Sequence, residues 1–398
     1  MNYKLRSSLL QVKYSILDGS EHEQPIHDML AMYDKGEDIY NSPFIKAGKW
    51  RNHRSVAGVY DLDKARKRQD EVIELYESIK KNGYNGSLIY IWFDRDGFAR
   101  VYDGFHRISI MNYLGMDVLV NTTTDLNKQW AKGLKNDPDF IYEFGDFPLA
   151  KALTEQTHTS GGWIYHPIND DRASEFKVIR TDSSNRLEYI LDNLVGDTVL
   201  DIGCAEGYFT REIARRGYKV TGIDRSRDLV AIARYLSILE GVDITYKVGD
   251  WGDIIKDYEH FDNILLLSVI HNDMKEIGVK EGLNKLKLIK NKTNRLFFEV
   301  PENKGEKQWN IKGFPSYDFH SSINDICKNL NMSNLGNYKN SRTMYQLGES
   351  AVLKDLIFNK DINGYPMYLM EEDIFTERAI NNNWEPKTVK WLKNNLKA

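Results

Sequence analysis

The residues with the clearest chemical potential lie between 199 and 251. In VLDIGCAEGYF (199–209), Asp201 ends an apolar run, and Gly203, Ala205 and Gly207 form a small-residue loop ahead of a helical stretch. At the carboxyl end of a central strand, such a loop lets a ligand approach the backbone and meet helix N-terminal amides. Asp224 closes the next apolar run, YKVTGID, seventeen residues after Gly207. A carboxylate there can accept two hydrogen bonds from vicinal ribose hydroxyls. Asp250 ends DITYKVGD and precedes Trp251, which sets an amine acceptor beside an aromatic face suited to adenine. Any one of these acids alone is more simply a strand-end or capping residue. Three at successive strand ends point to a nucleoside ligand.

Two adenosine cofactors compete for this pattern. A nicotinamide dinucleotide calls for G-x-G-x-x-G with amides facing a pyrophosphate, and an acid two positions before the first glycine sits poorly beside that charge. Here the loop is GCAEG, preceded by Asp201 and containing Glu206. These carboxylates suit a cationic amino-acid sulfonium better. On these residues, and on the strand FDNILLLSVIHN, the stretch from about 180 to 350 resembles the class I S-adenosylmethionine-dependent methyltransferases. The resemblance implies an α/β fold with a Rossmann-like doubly wound sheet. It implies that Asp201 and Gly203 hold the methionyl end, Asp224 the ribose, Asp250 the adenine amine and Trp251 the ring. Cys204, Ala205, Gly207 and Ser268 complete the implied cofactor set. Ala205 departs from the family's usual glycine but is small enough to leave the site intact. Cys204 reads more simply as a small loop residue than as a reactive thiol.

Methyl transfer is an in-line displacement, so the protein mainly aligns the nucleophile and excludes water. An alcohol acceptor still gains from losing its proton. His271, in SVIHND, lies where the resemblance places substrate-facing residues, and an imidazole can act as a general base. A structural or orienting histidine is the competing reading. Glu299, in FFEVPEN, is a second candidate. Neither segment has the asparagine-proline pattern of amino-group nucleic-acid methylases. The expected acceptor is therefore an oxygen on a small molecule or glycan.

The elements ahead of this region have a different rhythm. DLDKARKRQDEVIELYESIKK (61–81) has the apolar spacing of an amphipathic helix. SLIYIWF and FARVY flank an Asp-Gly turn and read as a hairpin, DGFHRISIMNYLG as a helix with Asp103 near its N-cap, and MDVLVNTTT as a strand. Residues 55–125, chiefly YDGFHRISIMNYLGMDVLV, resemble the smaller α+β ParB/sulfiredoxin-like fold, whose members bind nucleotides or DNA. That resemblance implies an anion site at Asp103, Gly104, His106 and Arg107, with ATP or ADP as candidate ligand. The plainer reading is a helix cap, an ion pair and a half-buried histidine. Phe105 stands where sulfiredoxins carry cysteine, so their redox chemistry is not expected. A bifunctional enzyme that phosphorylates and methylates one saccharide terminus, and an adaptor that docks nucleic acid or a carrier, are the alternatives.

The chain has 398 residues, 41% hydrophobic and 28% charged, too many for one ordinary core and too apolar for a disordered chain. Lys and Arg number 54 against 58 Asp and Glu, a net charge of −4, balanced on both sides of residue 150, so no general attraction for nucleic acid or anionic lipid is expected. Two cysteines, Cys204 and Cys327, do not make a disulfide framework. His22 and His27 around a proline are weak ligands, and no metal is expected. No run is long enough for a membrane span or signal peptide, which reads as a cytoplasmic protein. The expected organisation is an N-terminal domain to residue 150, a linker or lid at 151–175, a methyltransferase domain at 176–355 and a helical tail at 356–398.

Overall fold

The computed structural model describes residues 2–10, 23–47, 61–86, 88–101, 104–122, 153, 163–169, 171–289, 291–301, 332–338, 342–348, 356–362 and 365–370. The first elements are β1 (Asn2–Arg6), α1 (Glu23–Asp34), α2 (Pro43–Lys46) and α3 (Leu62–Asn82). They are followed by β2 (Ile89–Phe93), β3 (Ala99–Val101), α4 (Phe105–Tyr113) and β4 (Asp117–Thr122). Next come β5 (Trp163–Ile164), β6 (Lys177–Val178), α5 (Ser183–Leu191), β7 (Thr198–Ile202), α6 (Tyr208–Ala214) and β8 (Lys219–Asp224). After them lie α7 (Arg227–Leu239), β9 (Thr245–Val248), α8 (Trp251–Ile254), β10 (Phe261–Leu267), α9 (Ile270–Ile277) and α10 (Val279–Leu286). The described strands end with β11 (Thr293–Pro301), β12 (Met332–Tyr338), β13 (Arg342–Leu347), β14 (Leu356–Ile362) and β15 (Tyr365–Met370).

The chain divides into two compact units, residues 1–183 with 199–257 and residues 184–198 with 258–398. In the first, β1, β4, β2 and β3 lie side by side in that order, with β1 antiparallel to β4 and β2 parallel to it. The lead-in segment, which has little periodicity, thus supplies an edge strand. Its register is fixed because Leu5 faces the core with Val118 and Val120. The amphipathic helix forms as expected: Asp61 accepts the Lys64 N–H at 3.0 Å, and Val72, Tyr76 and Ile79 turn inward. The helix expected after Asp103 forms as α4. Gly104, at φ +99°, occupies the N-cap position, and Asp103 lies outside the described residues.

The same unit holds β7, β8 and β9 in order, with β8 and β9 parallel, and α6 and α7 connecting them. The division therefore differs from a cut near residue 150, and α7 gives the physical reason. Its residues Ile232, Tyr235 and Leu236 are buried in one core with Ile91, Phe93 and Val101 of the β2–β3 hairpin. The Phe93 and Tyr235 rings meet edge to face at 4.4 Å. At the hairpin tip, Asp96 accepts from Arg227 Nε at 2.5 Å and Nη2 at 3.0 Å, and Arg234 lies 4.0 Å over the Phe98 ring. The stretch read as a linker is partly regular: β5 pairs with β6 in parallel, and Ile164 and Ala173 join the same core.

In the second unit, β12, β13, β11 and β10 lie in that order, with β10 and β11 parallel and the later strands antiparallel. Residues 356–362 and 365–370 pair as an antiparallel hairpin, where a helical tail is expected from the sequence. The β-rich runs LIFNKDI and YPMYLM flank Asn363-Gly364, a strong hairpin signal. The rest of the expected tail, residues 371–398, lies outside the described residues. Among the described residues, no helix is long and apolar enough to cross a membrane.

Candidate functional site

The GCAEG loop (203–207) is held by backbone geometry before any side chain acts. Gly203 (φ +75°) and Cys204 both donate their N–H to the Ile223 carbonyl, at 2.7 and 3.0 Å, so the loop after β7 folds back against the end of β8. Ala205 takes φ +48°, an uncommon conformation for a residue with a Cβ. Gly207, at φ +74°, starts α6, and a Cβ there would lie 2.7 Å from the Tyr246 hydroxyl and 2.9 Å from the Ala233 Cβ. Only glycine permits that approach.

Three acids surround this loop. Asp201 is buried and its Oδ2 accepts the Thr210 hydroxyl at 2.6 Å. Asp224 accepts the Ala205 N–H through Oδ2 at 3.0 Å and the Ser226 N–H through Oδ1 at 2.9 Å. Burial raises its pKa above the ordinary carboxylate value, and these amides pull the other way. Glu206, read from sequence only as one of two carboxylates that favour a cationic ligand and given no specific contact, is only 3% exposed. Its Oε1 accepts the Tyr165 N–H at 3.3 Å, and burial raises its pKa. The signal that could have singled it out is a third acid inside an otherwise small-residue loop. Tyr165 belongs to the segment read as a linker. Its neighbour His166 stacks on Tyr208 at 5.6 Å, and Nδ1 of His166 lies 2.8 Å from the Ser183 hydroxyl.

Asp250 caps α8 and accepts the Gly252 N–H at 2.7 Å. Trp251, expected as an open ring face, is only 3% exposed and lies within the protein interior at the start of α8. Sequence reasoning missed this one-turn helix because four residues carry no periodic signal. Cys204 packs with Val230, Ala233 and Tyr246, and burial, then Asp201 and Asp224, push its thiol well above the usual value. It is a core residue and not a poised nucleophile.

The second unit holds the remaining candidates. Ser268, expected among the cofactor residues, takes φ +62° and donates its hydroxyl to Glu299 Oε1, while Arg342 Nη1 donates to Ser268 Oγ at 2.6 Å. Glu299 also accepts from Arg186 Nη1 at 3.3 and 3.4 Å, and Arg342 Nη1 lies 3.9 Å from Oε1. All four side chains are buried. Glu299 thus serves as counter-charge to two guanidinium groups, and these contacts oppose its use as a proton acceptor. His271 lies in α9, almost fully buried. Burial, with Arg342 and Lys275 nearby, lowers its imidazole to about 3. It is neutral at pH 7 and a weak base in this state, which departs from the expected general-base role.

In the N-terminal part of the first unit, the expected basic residues gather. Arg68 Nη2 lies 3.2 Å from His106 Nδ1, and Arg107 donates to the Tyr84 hydroxyl at 2.8 Å. The Arg107 guanidinium folds back over Gly104, where an added Cβ would lie 2.8 Å from Nη2. Arg68 is a participant that the sequence did not reveal, because it reaches His106 from α3. His27, weighed as a metal ligand, has its Nε2 2.9 Å from the Ser109 carbonyl, while His22 lies outside the described residues.

Residues 199–287 match the family model described as a methyltransferase domain. Ubiquinone biosynthesis O-methyltransferase from Nitrosococcus oceani is 40% identical over 79 residues, 19% of this chain and 34% of that protein. The protein of the same name from Pseudomonas syringae pv. tomato is 33% identical over 105 residues, 26% of this chain and 45% of its own. The chain therefore spans less than half the length of these curated relatives. Among solved structures, the bifunctional kinase-methyltransferase WbdD is 20% identical, with 56% of this chain and 49% of that chain covered and a TM-score of 0.43. The N-terminal domain of EvdMO1 with SAH bound is 13% identical, with 51% and 95% covered and a TM-score of 0.36. The segment matched by the methyltransferase-domain model, residues 199–287, is the one that carries the GCAEG loop.

Proposed function

We propose that the chain is an S-adenosylmethionine-dependent methyltransferase acting on an oxygen of a small molecule or glycan. The observation that carries this reading is the Ala205 N–H bonded to Asp224, which joins the donor loop and the ribose acid into one preset receptor. Asp201, Asp224 and Asp250 stand at the ends of β7, β8 and β9 or just beyond them. Their negative charge fits a cationic donor better than a pyrophosphate. When bound, S-adenosylmethionine supplies an electrophilic methyl on positive sulfur. The chain's own residues orient it: Asp224 accepts from ribose hydroxyls, Asp250 from the adenine amine, and the backbone at Gly203 borders the methionyl end. The O-methyltransferase names of the matched relatives support an oxygen acceptor. A neutral His271 fits an orienting hydrogen-bond role toward the acceptor better than proton abstraction. Incubating the full chain with radiolabelled donor and saccharide or phenolic acceptors tests this reading; label transfer abolished by Asp224→Ala is the expected result.

A second reading concerns the N-terminal part. Arg68, His106 and Arg107 converge where α4 begins, and the first turn of α4 has no acidic residue. Two guanidinium groups, one of them paired with Glu71, and an imidazole at the positive end of a helix suit an anion such as the phosphates of ATP or ADP. With bound nucleotide as phosphoryl donor, the chain becomes a bifunctional kinase-methyltransferase on one saccharide terminus. A thermal shift with ATP or ADP, lost in Arg107→Ala, is expected. Salt-sensitive RNA or DNA binding without a nucleotide response supports the adaptor reading.

A further inference from the structure

The three acids in and beside the GCAEG loop differ in their hydrogen bonding. Asp201 has Oδ2 engaged by the Thr210 hydroxyl at 2.6 Å, and Asp224 has both oxygens on loop amides, leaving their second lone pairs for the ribose. Glu206 is different. One oxygen accepts the Tyr165 N–H at 3.3 Å, while the other, Oε2, is fully buried and has no hydrogen-bond partner among the described residues. Arg211, whose charge lowers the Glu206 pKa, points its Nη1 to the Glu206 backbone carbonyl and its Nε to Glu240 Oε2 at 2.9 Å. A buried carboxylate oxygen without a donor is costly, and a positively charged N–H group is the ligand chemistry that offsets the cost most fully.

We infer that Glu206 binds the α-ammonium of the methyl donor and its demethylated product through Oε2, a role the family resemblance would hand to Asp201. This inference rests on the proposed S-adenosylmethionine site and deepens it. The sulfonium offers only C–H groups, so the ammonium is the fragment whose N–H bonds match the orphan acceptor. Tyr165 fixes the orientation of the carboxylate from the other side. Its place in the loop between β7 and α6 puts Glu206 two residues from Cys204 and three from Gly203, beside the backbone that borders the methionyl end.

The test uses the full chain and two probes, S-adenosylhomocysteine and 5′-methylthioadenosine, which keeps the adenosine thioether and lacks the amino acid. Calorimetry of Glu206→Gln is expected to show S-adenosylhomocysteine bound at least about ten-fold more weakly and methylthioadenosine within about two-fold of wild type. Unchanged S-adenosylhomocysteine affinity, or equal weakening of both probes, overturns the inference while leaving the donor site in place. Should wild type bind neither probe, the proposed function fails and the inference fails with it. Where Glu206→Gln does not fold, the wild-type chain is titrated with des-amino S-adenosylhomocysteine. Equal affinity overturns the assignment; a loss of at least about ten-fold, with Asp201→Asn still binding S-adenosylhomocysteine within about two-fold of wild type, supports Glu206 over Asp201.

Discussion

Asp224 Oδ2 accepts the Ala205 N–H at 3.0 Å, across the gap between the loop after β7 and the end of β8. The bond ties a strained residue, Ala205 at φ +48°, to the carboxylate assigned to the ribose. Asp224→Ala removes both the ribose acceptor and the loop anchor. It is expected to weaken S-adenosylhomocysteine by about 30-fold or more, the range of one or two lost charge-assisted hydrogen bonds. Ala205→Gly keeps the amide and relieves the left-handed strain, so it is expected to bind normally and to unfold at equal or higher denaturant, by up to about 1 kcal/mol. Calorimetry and urea titration of both variants check this. Intact binding in Asp224→Ala contradicts the ribose assignment.

The raised pKa of Glu206 makes donor affinity depend on pH. Burial is the main cause, Asp224 adds to it, and Arg211 opposes it. The protonated carboxyl does not attract an ammonium and the ionised one does, so affinity should climb as pH rises through the raised value and then level off. In Glu206→Gln the rise should be smaller, the part that persists coming from Asp224, whose carboxyl is also raised by burial. A binding series from pH 4.5 to 8 reads the difference directly, and identical profiles for both proteins contradict it.

His271 carries an opposite lesson about stability. Its imidazole is lowered from 6.5 to about 3, chiefly by burial. Below pH 6.5 the unfolded chain therefore takes up a proton that the folded chain refuses. Stability falls with pH across the window from 6.5 to about 3, by up to about 1.4 kcal/mol per unit from this group. His271→Asn should lose that component: urea midpoints at pH 7 and pH 5 should lie closer together in the variant than in wild type. An equal drop in both places the acid sensitivity elsewhere.

The hairpin tip on α7 separates packing from charge. Gly97 has φ +78°, and an added Cβ would lie 2.1 Å from the Ala231 carbonyl. Backbone cannot yield there, so Gly97→Ala is expected to cost about 3 kcal/mol or more. Asp96→Asn loses a half-exposed pair with Arg227 and is expected to cost about 1 kcal/mol or less. Because Tyr235 and Leu236 of α7 share a core with the N-terminal strands, residues 180–398 expressed alone should aggregate or show no cooperative melt. A soluble, cooperatively folding fragment contradicts that dependence.

Much of this was legible in the residues themselves. The alternation from TVLDIG to RLFFEV marks the strands and helices that the structure contains, because buried parallel strands are apolar throughout and their helices are amphipathic. The small-residue loop and its flanking acids are local in sequence, so the gathering of Asp201 and Asp224 around that loop was readable. What escaped was set by tertiary packing. β1 becomes a strand by pairing with β4, α8 is one turn long, and nothing in DRDGF indicates that it seats on a helix some 130 residues later. Trp251 and His271 have residue types suited to a site, but burial removed one from the surface and drained the other of basicity. Glu206 was visible as a letter, and only its unmatched oxygen distinguishes it from its acidic neighbours.

The central claim is a receptor for a positively charged methyl donor at residues 201–250. Titrating the intact protein with S-adenosylhomocysteine and, separately, with NAD measures it most directly. The account predicts saturable one-to-one binding of the first and none of the second; tight binding of NAD with no response to S-adenosylhomocysteine would contradict it.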